Sequence, residues 1–203
     1  MKLDPKDMAT ISKNYDIKFE KCTPIEAGEE NTSFLLHSAE NEFVLTIYEQ
    51  KSFQHVEYLC LIMDHLRENN YYTNRLVSTA DGKFLFEVED KPAVLKRWIP
   101  GVTLRDSEQS DYRVLGQAIA RLHQIPAPQF LPKAHPYGLE QMSGTLGLRI
   151  DLPYESWLSE KIDYLIRNLN TELPKTFIHG DLFDDNILYH QGRFKAIIDF
   201  EDA

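Results

Sequence analysis

The sequence has few cysteines and no long apolar segment. Its 203 residues include 2 cysteines, Cys22 and Cys60, which lie far apart and form neither a CxxC pair nor a zinc-binding pattern. Isolated cysteines are typical of proteins in a reducing compartment, where disulfides are rare. The first residues are polar and lack the apolar core of a secretory signal, and no apolar run is long enough to cross a bilayer. We therefore expect a cytoplasmic protein without a membrane segment.

Positive charge is scarce as well, since 22 Lys and Arg stand against 32 Asp and Glu, which gives a formal net charge of -10. A nucleic-acid-binding protein would carry a basic patch, so this composition argues against nucleic acid as a partner. An acidic surface suits a cationic or zwitterionic substrate, although solubility is the simpler interpretation. With 42% hydrophobic and 11% aromatic residues, the chain has enough apolar material for one large domain or two lobes.

The most informative stretch lies near the end of the sequence. An apolar pair leads into His179, Asp181 follows, and Asn186 comes five residues after Asp181. A second apolar segment then ends at Asp199. This order and spacing resemble the protein-kinase catalytic loop, His-x-Asp-x-x-x-x-Asn, followed by a strand that ends in a metal-binding Asp before Phe. A single one of these residues would indicate little, because Asp and Asn are common in turns and His is common in cores. The ordered set of four residues is a more specific signal for this catalytic loop.

Phosphoryl transfer explains these residue types. It requires a group that orients the attacking hydroxyl, and oxygen ligands that hold magnesium on the phosphates. Asp181 would accept the hydroxyl proton, and His179 would brace the loop through hydrogen bonds. Asn186 and Asp199 would hold Mg2+, a hard cation bound by one or two carboxylates together with phosphate oxygens and water. A hairpin with Gly192 in its turn would bring these two ligands together.

A turn near the start of the chain is a candidate cover for the nucleotide phosphates. Residues 28–31 lie between two strand-like segments, and backbone N–H groups at such a hairpin tip suit anionic oxygens. The segment has one glycine rather than the three of the kinase loop, so by itself it predicts no more than a hairpin turn. The candidate phosphate-binding residues are Gly28, Asn31, Thr32 and Ser33.

The lysine with which protein kinases hold the phosphates is missing from the next strand-like segment, residues 43–48. Thr46 occupies its place and is itself a candidate nucleotide-binding residue. Lys96 is a conceivable substitute, although a solvated lysine is the simpler interpretation. Residues 51–69 show helical spacing of apolar side chains. Glu57 would be the glutamate that pairs with the lysine from this helix, but without the lysine a surface position is expected.

Two dipeptides indicate turns in the following part of the chain. Asp81-Gly82 predicts a hairpin that joins residues 76–78 to residues 83–88. Pro100-Gly101 stops the next strand and predicts a crossing between two lobes, with a plain strand-to-helix loop as the alternative. In the two-lobed interpretation, the backbone groups that contact the edge of adenine belong to Arg97, Trp98 and Ile99.

The chain resembles the aminoglycoside phosphotransferase and choline kinase superfamily, the small-molecule relatives of protein kinases. The motifs that carry this resemblance are residues 178–188 and 197–201. Within the superfamily the chain is most similar to the homoserine kinases of this fold, and Thr46 is part of that similarity. The segments that carry it are residues 28–36, 44–49, 61–66 and 115–123.

The resemblance implies an α+β, two-lobed protein-kinase-like fold. Residues 1–98 would form a nucleotide-binding lobe with a small antiparallel sheet and one main helix, and residues 99–203 a mostly helical catalytic lobe that carries the hairpin. ATP and Mg2+ are the implied cofactors, and the implied partner is a small molecule with a hydroxyl group, with homoserine and the threonine biosynthetic pathway as the first expectation. The alternatives are choline, ethanolamine, an aminoglycoside or a sugar as acceptor, or a non-catalytic nucleotide-binding protein.

Members of this superfamily continue well past the second aspartate, whereas the sequence stops at Ala203, four residues after Asp199. We therefore expect an incomplete catalytic lobe that exposes apolar surface, with poor activity and a tendency to associate. A protein kinase is disfavoured, because no activation loop and no Ala-Pro-Glu follow Asp199. The sequence leaves the oligomeric state open.

Overall fold

The structure, a computed structural model, describes residues 3–26, 30–106, 112–131, 138–170, 172 and 174–203. The chain forms two compact units. One consists of Met1–Ile125 and Phe177–Ala203, and the other of Pro126–Thr176. This division does not follow the boundary expected between residues 98 and 99, which stays a prediction.

The first unit begins with helix α1 (Pro5–Tyr15), which starts at a capping box. The Asp4 carboxylate accepts hydrogen bonds from the backbone N–H groups of Lys6 (2.7 Å) and Asp7 (2.9 Å), and the Asp7 carboxylate accepts one from Asp4 N–H (2.9 Å). These bonds satisfy amide groups that the first turn of a helix leaves without partners. The buried residues Ile11 and Tyr15 then hold the helix against a sheet.

This antiparallel sheet consists of β1 (Phe19–Ile25), β2 (Asn31–Ser38), β3 (Glu42–Tyr48), β4 (Leu76–Val77), β5 (Leu85–Val88) and β6 (Lys91–Arg97). Strands β1, β2, β3 and β6 lie side by side, and β4 and β5 both pair with β6. Side chains alternate between the two faces of the sheet. One face packs with α1 in a core that includes Phe34, Leu36, Leu45 and Leu95.

The hairpin predicted at Asp81-Gly82 is only partly present. Gly82 turns the chain with φ +83°, a left-handed conformation that glycine adopts without strain. However, β4 and β5 do not pair with each other. Leu76 lies opposite Lys96 and Leu85 lies opposite Val94, so the two strands are successive parts of one edge along β6. The predicted pairing was wrong because both segments satisfy their backbone hydrogen bonds on β6.

Helix α2 (Phe53–Glu68) agrees with the helix predicted over residues 51–69. Ser52 caps it, since its hydroxyl oxygen accepts a hydrogen bond from the backbone N–H of His55 at 3.2 Å. Its inner face packs on the side of the sheet formed by β4, β5 and β6. Glu57 is exposed, as expected, and the buried residues of the helix are Val56, Leu59, Cys60, Ile62 and Leu66.

A second, small antiparallel sheet carries the predicted catalytic hairpin. It has the order β7 (Val102–Thr103), β8 (Ile187–His190), β9 (Arg193–Ile197), with Gly192 in the turn between β8 and β9. A 3-10 turn, Asp184–Asn186, leads into β8. Helix α3 (Tyr112–Leu122) packs against β9. The hairpin prediction is therefore confirmed.

The other unit contains helices α4 (Leu139–Ser143) and α5 (Leu152–Asn168). Asp151 caps α5 by accepting a hydrogen bond from the backbone N–H of Tyr154 at 3.0 Å. Glu155, in the first turn of α5, also accepts hydrogen bonds from the backbone N–H groups of Gly147 and Ile150. Across the described ranges, no helix combines the length and the apolar character needed to span a lipid bilayer.

Candidate active site

A cavity of about 470 Å³ in the first unit brings together most of the residues that the sequence singles out. Strands β2, β3 and β6 supply one wall, and the loop before β8 and the segment after β9 supply another. Asp181 and Asp199 therefore line the same cavity as residues of β2, β3 and β6. The predicted site residues that line the cavity are Ser33, Thr46, Trp98, Ile99, Asp181, Asn186 and Asp199.

Asp181 is oriented by Asn186. The Asn186 side-chain Nδ2 donates to the Asp181 carbonyl oxygen at 2.9 Å and to its carboxylate Oδ2 at 3.2 Å. The backbone closes the same turn, because Phe183 N–H donates to the Asp181 carbonyl and Asn186 N–H to the Phe183 carbonyl. One carboxylate oxygen of Asp181 is thus held by the loop itself, at the cavity wall.

His179 does not line the cavity, and its hydrogen bonds connect two segments of the site. Its Nε2 is 2.9 Å from the Ile198 carbonyl oxygen, and the backbone N–H of Asp181 donates to its Nδ1 at 3.3 Å. These partners assign the proton to Nε2. The side chain is 3% exposed, and this burial lowers its pKa although the Ile198 carbonyl favours the charged form. A neutral imidazole therefore links the catalytic loop to the strand that precedes Asp199.

Gly180 permits a close approach between the catalytic loop and the end of the chain. Its φ is +85°, and a Cβ at this position would lie 2.0 Å from the Asp202 carbonyl oxygen. Neither the conformation nor the space accepts a side chain. The glycine between His179 and Asp181 is therefore a steric requirement of the site.

Strand pairing places Asn186 next to Asp199. Ile187 lies opposite Ile197, and Ile198 N–H donates to the Asn186 carbonyl oxygen at 2.9 Å, one step beyond the paired strands. Asp199 then turns the chain with φ +64°, a conformation uncommon outside glycine. The two predicted metal ligands, far apart in sequence, thus meet at one end of the hairpin.

The electrostatics of Asp199 suit a divalent cation. Burial raises the pKa of its carboxyl group, the neighbouring Glu201 carboxylate raises it further, and Lys96 and Lys51 oppose these effects. A carboxylate held away from water beside a second carboxylate favours a bound cation. The Asn186 amide nitrogen donates to Asp181, which leaves the side-chain oxygen as a candidate second ligand. Within the described ranges no cluster of three or more His, Cys, Asp and Glu side chains could hold a metal, so phosphate oxygens and water would complete the coordination.

Two residues of the predicted phosphate-binding turn hold the site together instead of lining it. Asn31 Nδ2 donates to Glu201 Oε1 (3.1 Å) and Oε2 (3.3 Å), and Lys51 Nζ lies 2.6 Å from Glu201 Oε2. The hydroxyl of Thr32 donates to Glu49. Ser33 lines the cavity, and Gly28 lies outside the described residues.

The predicted adenine-contacting segment is divided between the two sides of the sheet. The Arg97 guanidinium lies 5.0 Å from the centre of the Phe43 ring, away from the cavity lining. Its backbone N–H donates to the Arg75 carbonyl, and Trp98 N–H donates to the Glu42 carbonyl. No described residue accepts a hydrogen bond from Ile99 N–H, so this backbone donor is available to a ligand in the cavity that Ile99 lines.

Four charged residues of the site had no role in the sequence analysis. Lys51 and Glu201 form the ion pair beside Asp199, and Arg105 Nη2 lies 3.2 Å from Asp185 Oδ2 at the cavity wall. Asp185 and Glu201 lie inside the two motifs, so the sequence does carry a signal that they belong to the site. Lys51 and Arg105 carry no sequence signal, because their partners lie far away along the chain.

Comparison with known proteins agrees with the geometry. The profile of the "Phosphotransferase enzyme family" matches residues 21–203. The homoserine kinase of Bradyrhizobium diazoefficiens is 27% identical, over 97% of this chain and 63% of that protein. The homoserine kinase of Bradyrhizobium sp. strain ORS 278 is 28% identical, over 96% of this chain and 62% of that protein. The chain thus spans less than two thirds of the length of these curated relatives.

Solved structures share the fold at low sequence identity. An amicoumacin kinase crystallised with AMP-PNP and Ca2+ has a TM-score of 0.72 and 17% identity, over 98% of this chain and 64% of that one. A spectinomycin phosphotransferase crystallised with ADP and spectinomycin has a TM-score of 0.69 and 13% identity, over 97% of this chain and 68% of that one. The predicted α+β, protein-kinase-like fold class is confirmed, and so is the resemblance to this superfamily.

Proposed function

Because the chain belongs to the phosphotransferase enzyme family, we propose that it acts as an ATP-dependent kinase of a small molecule, transferring the γ-phosphate to a hydroxyl group. The single observation that carries this proposal is the Asp181–Asn186 hydrogen bond at the wall of the cavity that Asp199 also lines. This is the set of groups that phosphoryl transfer requires, a hydroxyl-orienting carboxylate next to oxygen ligands for a metal.

Asp181 is the proposed catalytic base. Asn186 donates to Oδ2, so Oδ1 is the oxygen that accepts a hydrogen bond from the acceptor hydroxyl. It takes the hydroxyl proton as the new bond to the γ-phosphorus forms and the bond from that phosphorus to the bridging oxygen of ADP breaks, which releases ADP. His179 is a positioning residue, since it bonds the Asp181 backbone and does not reach the cavity. The loop therefore fixes the carboxylate before any substrate binds, which reduces the ordering cost of the reaction.

Asn186 and Asp199 are the proposed ligands of Mg2+, which when bound neutralises charge on the transferring phosphates. On the nucleotide side, Ile99 N–H is the proposed donor to the adenine edge. Thr46 and Trp98 form the cavity walls there. Ser33, together with Gly28 as a candidate from the sequence, is the proposed cover of the phosphates.

Homoserine is the proposed acceptor, with O-phosphohomoserine as the product and threonine biosynthesis as the pathway. The homoserine kinases at 27–28% identity support this choice. A second support is the Arg105–Asp185 pair in the cavity lining, because a zwitterionic amino acid carries both opposite charges. Cytoplasmic location remains part of the proposal.

The test is magnesium-dependent ADP release with homoserine as acceptor, with choline and an aminoglycoside measured in parallel. Asp181→Asn is expected to lower the turnover by about 10²–10⁴-fold while ATP binding is retained. Asp184→Asn is the matched control, because Asp184 is an exposed carboxylate in the same turn that does not line the cavity. It is expected to keep the wild-type rate.

The outcomes separate the alternatives. Turnover with choline, ethanolamine, an aminoglycoside or a sugar but not with homoserine would keep the mechanism and reject the acceptor. ATP binding without turnover on any acceptor would favour a non-catalytic nucleotide-binding protein, an alternative that the threonine at position 46 brings into consideration. Equal rates for Asp181→Asn and the wild type would reject the proposed base.

A further inference from the structure

Strand β6 brings a lysine to the face of the sheet on which the expected lysine is missing. In the β3–β6 register Lys96 lies opposite Val44, and Thr46 lies opposite Val94. Lys96 and Thr46 are therefore diagonal neighbours on one face, roughly 7–8 Å apart and with their Cβ atoms somewhat closer. Both line the same cavity, together with Asp199. A lysine on either strand would reach the same part of this space.

Electrostatic interactions show where the Lys96 charge acts. Lys96 lines the same cavity as Asp199, the proposed metal ligand. Burial raises the pKa of the Cys60 thiol on α2 to about 12, and Lys96 acts in the opposite direction. The ammonium group thus lies within electrostatic reach of both the proposed metal ligand and the inner face of α2.

The charge of Lys96 is not neutralised by a direct partner among the described residues. The Lys96 ammonium group forms no hydrogen bond or ion pair there, whereas Lys51 Nζ lies 2.6 Å from Glu201 Oε2. The nearby Cys60 is a neutral thiol, and Glu57 on the same helix is exposed. A half-buried ammonium group that lines a cavity and is paired with no carboxylate is available to an anionic ligand.

We propose that Lys96 binds the phosphate oxygens of the nucleotide, in the role that a lysine at position 46 would have in a protein kinase. The inference rests on the proposed function, because it needs a nucleotide in this cavity. It assigns the missing cation to a different strand of the same sheet. Thr46 and Lys96 both line the cavity, and the lysine is the longer of the two side chains.

The test compares ligands that differ in phosphate content. The 203-residue chain is titrated calorimetrically with ATP, ADP and adenosine in the presence of Mg2+. Lys96→Met is expected to weaken ATP and ADP binding at least about tenfold and to leave adenosine binding unchanged, since only the phosphates contact the ammonium. Lys96→Arg keeps the charge and is expected to retain most of the affinity. Lys83→Met is the control, because Lys83 pairs with Asp81 on the surface at 3.0 Å.

Two results would overturn the inference. Equal ATP affinity in the wild type and Lys96→Met would show that Lys96 is only solvated. An equal loss of ATP and adenosine affinity would show that Lys96 has a structural role. Thermal unfolding without ligand identifies a folding defect, and it is measured for Lys96→Met and for a second variant, Lys96→Gln. Absence of ATP and adenosine binding in the wild-type chain would instead reject the proposed function itself. ATP binding that is independent of Lys96 rejects this inference alone.

Discussion

Gly180 is the residue of the catalytic loop that tolerates a side chain least. Its φ of +85° disfavours any residue with a side chain, and an added Cβ would lie 2.0 Å from the Asp202 carbonyl oxygen. We expect Gly180→Ala to destabilise the protein by more than the roughly 1–2 kcal/mol that left-handed backbone alone costs a side chain, because Asp202 must also move. Chemical denaturation measures this loss.

Gly116 provides a matched control with the opposite expected sign. It lies in helix α3, and a Cβ there would meet no atom within 4 Å. Gly116→Ala is expected to stabilise the protein by about 0.5–1 kcal/mol, because alanine loses less backbone entropy in a helix. A Gly180→Ala variant as stable as the wild type would contradict the steric role of Gly180, whatever the result for Gly116→Ala.

His179 makes the stability of the protein depend on pH in a defined direction. Burial lowers the pKa of its imidazole in the folded chain. As the pH falls below about 6.5, the unfolded chain takes up this proton before the folded chain does, so stability decreases. The contribution of the neutral histidine is complete above that pH and is lost as the pH falls through the folded-state pKa.

The corresponding experiment compares free energies of unfolding for the wild type and His179→Gln between pH 8 and pH 5, a range of about three units around the histidine pKa. We expect the variant to be less stable at the upper pH and to lose less stability on acidification. His55→Gln, which removes an exposed histidine on α2, serves as the control. Parallel curves for the wild type and His179→Gln would contradict the prediction.

At the scale of elements, an ion pair joins the segment after β9 to the start of α2. The side chains of Lys51 and Glu201 are only 20% and 15% exposed, and Asn31 at the start of β2 donates to the same carboxylate. We expect Lys51→Met to destabilise the protein by about 2 kcal/mol or more, because it leaves the half-buried Glu201 carboxylate beside Asp199 without its cation. Urea denaturation measures the change.

A double-mutant cycle tests whether this loss arises from the pair. Adding Glu201→Gln to Lys51→Met is expected to recover part of the stability, because the uncompensated charge disappears. Lys83→Met breaks an exposed pair and is expected to change stability by less than about 0.5 kcal/mol. Strictly additive effects of Lys51→Met and Glu201→Gln would rule out the proposed coupling.

The sequence predicts those elements and site residues whose signal is local. Helix α2 and the hairpin that presents Asn186 and Asp199 follow from spacing, turn residues and a fixed motif. The edge along β6 does not, because the choice of strand partner depends on which backbone groups are still unpaired after folding. The position of Lys96 beside Thr46 also depends on the β3–β6 register, which one strand by itself does not reveal.

At the scale of the whole molecule, charge and apolar exposure oppose each other. The formal net charge of -10 keeps chains apart. The unit of residues 126–176 exposes large apolar side chains on helix α5, including Trp157 at 50% and Ile166 at 61%. Helical periodicity identifies an apolar face but not whether it is covered. Such faces favour association once charge repulsion is weakened.

We therefore expect the 203-residue chain to associate more strongly as salt increases, since the screening length falls from roughly 30 Å at 0.01 M to roughly 3 Å at 1 M. Sedimentation velocity at several concentrations measures this. Replacing Tyr154 and Trp157, whose exposed rings lie 5.4 Å apart, with Gln is expected to reduce association, whereas Ser156→Gln on the same helix is not. A monomer at every salt concentration would show that these side chains do not drive association. Association that weakens with salt would indicate attraction between charges instead.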